Sequence, residues 1–276
     1  EPLSKYCCAW ETEEPDPEHP EEVPIQLRNN ALTRPYNIVT EMYSLPAYNG
    51  LDPNPFIMPF FALFFGIMFA DMAYGLILLI AGLLFLWKAK PKGSMKNAAG
   101  LLIECGISTF IIGFLTGGFF GDMPLQIAQI INPETTWTGL PALFTPLNDT
   151  IMILLGAMVL GVIQIITGMI ISFVEKCKAG DVFGAVFEEG TWWVIFIGGG
   201  LAALGIGSVA GVPVVLAIGV VMLFIGSAKG KKGFGIFTGF VGAIYNGVPG
   251  YFGDILSYSR LMALMLAGSV IAQVVN

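Results

Sequence analysis

Residues 56–87 read FIMPFFALFFGIMFADMAYGLILLIAGLLFLW, an apolar block in which a single residue, Asp71, carries a charge. As one straight helix rising 1.5 Å per residue it would be roughly 48 Å long, well beyond a hydrocarbon core about 30 Å thick. The block must tilt steeply, kink, or form two short helices divided near Asp71, which Gly66 and Gly75 flank. Its length and central aspartate favour the pair. Asp52-Pro53-Asn54-Pro55 stands just ahead of it, where two prolines can end one helix and open the next.

The rest of the chain has the same character. Hydrophobic residues make up 55% and charged residues 12%, whereas a soluble globular domain carries roughly 25% charged. No aqueous surface can be built from this, so the bilayer is the solvent. Further apolar spans are expected at Leu101–Phe120, Ile151–Val174, Thr191–Ala210, Pro213–Ser227 and Phe240–Val275. The expected fold is an all-α polytopic transmembrane bundle of about seven membrane helices. Glycines in Gly113-Phe-Leu-Thr-Gly117-Gly-Phe-Phe-Gly121 and in Gly207-Ser-Val-Ala-Gly211 are expected to let helix backbones approach closely.

Lysines in the breaks set the orientation. Lys88, Lys90, Lys92 and Lys96, then Lys176 and Lys178, then Lys229, Lys231 and Lys232 are each separated by two spans, so all are expected on the cytoplasmic side. Gly121–Thr150 has no Lys or Arg and falls on the opposite side. If residues 1–52 are cytoplasmic, the 56–87 block crosses twice; if external, once.

Much of the net charge of −7 lies near the start, where Glu11, Glu13, Glu14, Asp16, Glu18, Glu21 and Glu22 cluster among prolines. That stretch reads as solvated and poorly ordered. Residues 1–52 are thus one polar unit, with a short amphipathic helix within 33–46, and residues 53–276 a transmembrane domain. Glu1 is not followed by a basic and apolar leader, and the chain reads as a fragment of a longer protein. Cys7, Cys8, Cys105, Cys177 and the single His19 have no metal-ligand spacing. No metal, cofactor or nucleic-acid partner is expected.

Hydrolytic machinery is also missing from the pattern. No phosphate-cradling GxxxxGK[ST] loop occurs; Lys229-Gly-Lys-Lys-Gly233 reads as a cytoplasmic loop, and Gly205-Ile-Gly207 with Gly211 as helix packing. What remains are ionisable groups at membrane depth, each costing about 2.5–3.5 kcal/mol at a helix centre on insertion scales. They are Asp71, Glu104, Asp254 and Arg260. Glu104 lies near the start of its span, within reach of the interface, and Asp122 at an outer helix end. Asp71 has two open readings, a joint between half-helices or an ion-handling group.

Arg260 has apolar sequence after it and small polar residues before it. At 100° per residue Asn246 and Ser257 fall within about 60° of it on the helical wheel, and Asp254 about 120° away. A guanidinium stays charged at physiological pH, so it cannot relay protons. It can lower the pKa of a carboxylate that approaches it and force release of the bound ion. A static ion pair with Asp71, Glu104 or Asp254 is the open alternative.

At these residues the chain resembles the membrane half of subunit a, called subunit I in prokaryotes, of V-type and archaeal A-type rotary ATPases. The likeness rests on Arg34-Pro35-Tyr36-Asn37 through Glu41-Met42-Tyr43, on Asp52-Pro53-Asn54-Pro55, on Pro59 through Gly75, and on Tyr245-Asn246 with Asp254-Ile-Leu-Ser-Tyr-Ser-Arg260-Leu-Met-Ala-Leu. It implies a stator whose residues 1–52 end a cytoplasmic arm, with peripheral-stalk and central-stalk subunits and a proteolipid ring as partners, in a prokaryotic plasma membrane. The implied mechanism has Arg260 separating two half-channels, meeting a ring carboxylate and coupling H⁺ or Na⁺ passage to ATP synthesis or hydrolysis in a separate head. Asn246, about 21 Å below Arg260 by helical rise, and Ser257 would line a half-channel, with Asp254, Asp71 and Glu104 as further candidates. Eukaryotic relatives have glutamate where Asn246 stands and histidine where Gly268 stands, and the family's eighth membrane helix lies beyond this chain. A secondary transporter with a midplane site near Asp71 and Asp254 is the rival reading.

Overall fold

The 56–87 block is two helices. In the computed structural model, which describes residues 25–46, 50–137, 139–203, 205, 208–209, 212–228 and 234–275, a 3-10 turn over Arg34–Tyr36 leads into α1 (Asn37–Tyr43), followed by α2 (Asn54–Phe69) and α3 (Met72–Ala89). Pro55 sits in the first turn of α2, where its missing N–H costs nothing. Ala70 closes α2 in a left-handed conformation (φ 43°), its N–H donating to the Gly66 carbonyl. Asp71 then opens α3 as its N-cap.

Helix α4 (Ser94–Thr116) fixes the directions of both. Ser108 Oγ donates to the Ala62 carbonyl (2.6 Å) and Thr116 Oγ1 to the Ala70 carbonyl (2.8 Å), each 46 residues apart, so α2 runs beside α4 in the same sense. Helix α3 runs the other way: Gly82 lies on Ala99 and Ile103, Gly75 on Gly106 and Phe110, and Gly113 on Asp71 and Met72. A Cβ on Gly75 would meet the Phe110 backbone, and one on Gly82 would lie 2.7 Å from Ile103 Cγ1. Close approach is therefore the reason for glycine along this seam. Residues 25–46 pack at the N-terminal end of α4, where buried Asn54 accepts from Thr40 Oγ1 (2.5 Å) and donates to Asn37 Oδ1 (2.9 Å). This polar weld holds the segment before the membrane to the head of α2. Tyr36, fully buried beside it, has its hydroxyl pKa pushed up, by burial first and then by the charge of Glu104.

Beyond α4 come α5 (Met123–Ile131), in the lysine-free segment, and α6 (Thr150–Lys178). Then α7 (Val182–Gly184) passes into a π-helix over Ala185–Gly190, which continues as α8 (Thr191–Ala203). Strands β1 (Ser208–Val209) and β2 (Val212–Pro213) pair antiparallel and turn the chain into α9 (Val214–Ala228), and α10 (Phe234–Ser257) and α11 (Ser259–Val275) complete it. The span expected over Thr191–Ala210 thus ends at Ala203. Gly205 lies in a turn at φ 72°, and Gly207 and Gly211 of the expected helix-packing stretch lie outside the described residues. Gly117 and Gly121 likewise serve positive φ (68° and 67°), while Gly113 serves close packing.

Two apolar clusters hold the bundle. Ala70, Ile112 and Met265 join α2, α4 and α11; Met169, Trp192 and Leu223 join α6, α8 and α9, with Phe240 and Tyr251 of α10 against them. Four helical stretches are long and apolar enough to cross a membrane: Met72–Ala89, Ser94–Thr116, Thr150–Lys178 and Gly235–Val275. The expected seven is reached only by adding α2, α8 and α9, which have 16, 13 and 15 residues. Lys176 and Lys178 lie at the same end as the segment before α2, since the Leu51 N–H donates to Glu175 (2.9 Å), and Lys96 is at that end through the packing of residues 25–46 on α4. Lys229, Lys231 and Lys232, the acidic stretch Glu11–Glu22, Cys7, Cys8 and His19 lie outside the described residues.

Candidate functional site

Gly235–Val275 is helical for 41 residues, broken only by a turn at Tyr258. The turn is tightened by i→i+3 bonds, Tyr258 N–H to the Ile255 carbonyl (3.2 Å) and Leu261 N–H to the Tyr258 carbonyl (3.0 Å). Its side chain is the anchor. The ring lies on Gly161 of α6 and against Phe64 of α2 (centroids 5.4 Å apart), and the hydroxyl donates to Gln164 Oε1 (2.8 Å). Arg260, two residues on, is set by that anchor.

Arg260 is exposed and makes no hydrogen bond or ion pair among the described residues. Asp71, Glu104 and Asp254 are each elsewhere. The Asp71 carboxylate, 5% exposed, accepts from the Ala73 and Tyr74 N–H groups through Oδ1 (2.8 and 3.2 Å) and from the Gly121 N–H through Oδ2 (2.8 Å). It joins the start of α3 to the loop after α4. Glu104 lies in α4 beside Tyr36. Asp254 and Asn246 are both exposed on α10 and line one cleft of about 820 Å³, with Glu188, Ser227, Thr238 and Tyr251 as its other polar walls. Ser257, also exposed, ends α10 outside that cleft. Of the residues singled out from sequence, then, the fold brings Asn246 and Asp254 together below Arg260 and keeps Asp71 and Glu104 apart from it.

A second cleft, of about 320 Å³, opens at the other end of α11, lined by Thr116, Gly121, Asp122, Asn148, Ser269 and Gln273. Arg260 stands between the two. By helical rise it is roughly 9 Å from Asp254 and roughly 14 Å from Ser269. This puts a fixed positive charge between two polar clefts along one helical stretch.

Sequence reading missed the wall facing α10. Lys176 donates to Glu188 Oε2 (2.7 Å) and to Glu189 Oε1 (2.8 Å), and Ser172 Oγ donates to the same Glu189 oxygen (2.7 Å). The adjacent acids Glu188 and Glu189, between the apolar spans, were the available signal.

The V-type ATPase 116kDa subunit family model matches residues 11–114. The chain is 36% identical to A-type ATP synthase subunit I of Methanocaldococcus jannaschii over 290 residues, covering 95% of this chain and 41% of that protein. Against A-type ATP synthase subunit I of Pyrococcus horikoshii it is 33% identical over 269 residues, 95% of this chain and 38% of that one. V-type ATP synthase subunit I 2 of Treponema pallidum is 34% identical over 122 residues, 43% of this chain and 26% of that protein. The chain thus spans about two fifths of the first two curated relatives' length.

Proposed function

We propose that this chain, which belongs to the V-type ATPase 116kDa subunit family, is the membrane stator of a rotary ATPase and carries H⁺ or Na⁺ through two half-channels divided by Arg260. The observation that supports this most directly is the exposed Arg260, without a hydrogen-bond or ion-pair partner among the described residues, between two polar clefts on one long helical stretch. A membrane arginine without a partner among the described residues carries a cost of about 2.5–3.5 kcal/mol, which a carboxylate on a second subunit would offset. The exposed face of α10 and α11 would meet a ring of proteolipid subunits. A ring carboxylate arriving at Arg260 has its pKa lowered by about 1–3 units, so it releases its ion into one cleft; after passing Arg260 it reloads from the other. Residues 1–52 would lie on the cytoplasmic side and lead to the stalk subunits, and nucleotide chemistry would belong to a separate soluble head.

The test is Arg260→Ala in the intact complex, reconstituted in inverted vesicles. ATP-driven ion uptake should be lost while the ring still copurifies with the chain. Uptake that survives with assembly intact would refute the reading. The rival, a secondary transporter with a site near Asp71 and Asp254, requires flux through the chain without any ring, and ring-free vesicles measure that directly.

A further inference from the structure

Resting on that reading, we propose that Glu188 is the ion-collecting carboxylate of the cleft at the lysine-rich end, with Lys176 as the positioning residue that holds it on the cleft wall. Along α10 the cleft offers the amide of Asn246, which does not titrate, and only near its inner end the carboxylate of Asp254. The opposite wall supplies a second carboxylate. Glu188 lines the cleft with its side chain 64% exposed, held through Oε2 by Lys176, while Oε1 has no partner among the described residues.

The local geometry gives the two adjacent acids different jobs. Glu189 is 13% exposed and takes both Lys176 and Ser172 on one oxygen, which ties the π-helix to α6. Glu188, one residue away and so turned by roughly 100° or less, is left in the cleft. One lysine facing two carboxylates leaves a net negative charge on this wall. In a cleft with apolar sides such as Phe183, Phe187 and Trp192, that charge concentrates cations ahead of Asp254. Among the described residues, the other titratable groups lining the cleft are Tyr251 and Asp254 on α10, Glu175, Cys177 and Lys178 flank Lys176 on α6, and the described parts of α8 and α9 carry none.

The experiment is E188Q in the intact complex, with uptake in inverted vesicles followed against the concentration of the transported ion in the bath, which faces this cleft. Removing one charge from the cleft wall raises the half-saturating ion concentration; at an effective dielectric of about 20, a charge about one Debye length (about 8 Å) from the ion corresponds to roughly tenfold or more. The maximal rate should stay near that of the parent. E188D, which keeps the charge, should stay near the parent in both. An unchanged ion dependence in E188Q, or equal shifts in E188Q and E188D, overturns this inference. If Arg260→Ala also pumps normally, the stator reading fails; if Arg260→Ala is dead and E188Q is normal, only the role of Glu188 fails.

Discussion

Asp71 allows the joint between α2 and α3 to be tested quantitatively. Truncation in Asp71→Ala removes the N-cap of α3, worth about 1 kcal/mol, and strips the Gly121 N–H of its buried acceptor, about 1–3 kcal/mol. Together these destabilise the joint locally by about 2–4 kcal/mol, which raises amide exchange at Ala73 and Gly121 by roughly 30- to 900-fold if local opening limits it. Asp71→Asn keeps Oδ1 for the cap but turns an amide donor towards the Gly121 N–H. Its effect of about 1–3 kcal/mol should be confined to Gly121, with Ala73 and Tyr74 still protected. Hydrogen–deuterium exchange on the assembled complex resolves these peptides. Equal exposure of Ala73 in both variants, or an unchanged Gly121 in Asp71→Ala, would refute the account of Asp71 as a two-sided joint.

Two pairs of substitutions probe the packing of the bundle. Gly75→Ala forces a methyl into the Phe110 backbone and should destabilise by about 1–3 kcal/mol, whereas Gly156→Ala, where nothing lies within 4 Å, should be neutral or gain up to about 1 kcal/mol of helix propensity. Thermal unfolding in detergent orders the pair, and the reverse order would contradict the close seam. Tyr258→Phe loses one hydrogen bond, about 0.5–1.5 kcal/mol, while Tyr258→Ala empties the contact with Gly161 and Phe64 and should cost about 3–5 kcal/mol; the same unfolding assay checks that difference.

Much of this architecture was legible because length in a bilayer is a hard constraint. The 56–87 block is too long for one crossing, and its only charge falls where the chain reverses. Lys96, Lys176 and Lys178 lie at one end, while Lys229, Lys231 and Lys232 are outside the described residues. The Thr191–Ala210 span was read too long because Gly-rich apolar sequence looks alike as helix and as turn until backbone pairing of Ser208–Val209 with Val212–Pro213 is seen. Asn246, Asp254 and Arg260 were legible as one helix's polar residues. Glu188 was not, since its relevance depends on the π-helix facing α10 across a cleft, a long-range placement that no local period encodes. Asp71 left two readings open because the group that completes its cap, the Gly121 N–H, is 50 residues away.

Helix length also bears on the proposed reading, in which the ion carrier belongs to another subunit. Gly235–Val275 has 41 residues and is roughly 61 Å long, twice the hydrocarbon thickness. Standing upright it would leave half its length in water, yet Asp254 and Arg260 are its only Asp, Glu, Lys or Arg residues. To stay within about 30 Å it would have to tilt by roughly 60°, more than ordinary membrane helices do. Asp254 in one cleft and Ser269 in the other are roughly 22 Å apart along the axis, which at that tilt separates them by roughly 19 Å within the membrane plane. Arg260 lies on the direct line and repels any cation taking it. On the proposed reading, an ion that enters by one cleft and leaves by the other crosses this sideways distance on a carboxylate of a rotating partner.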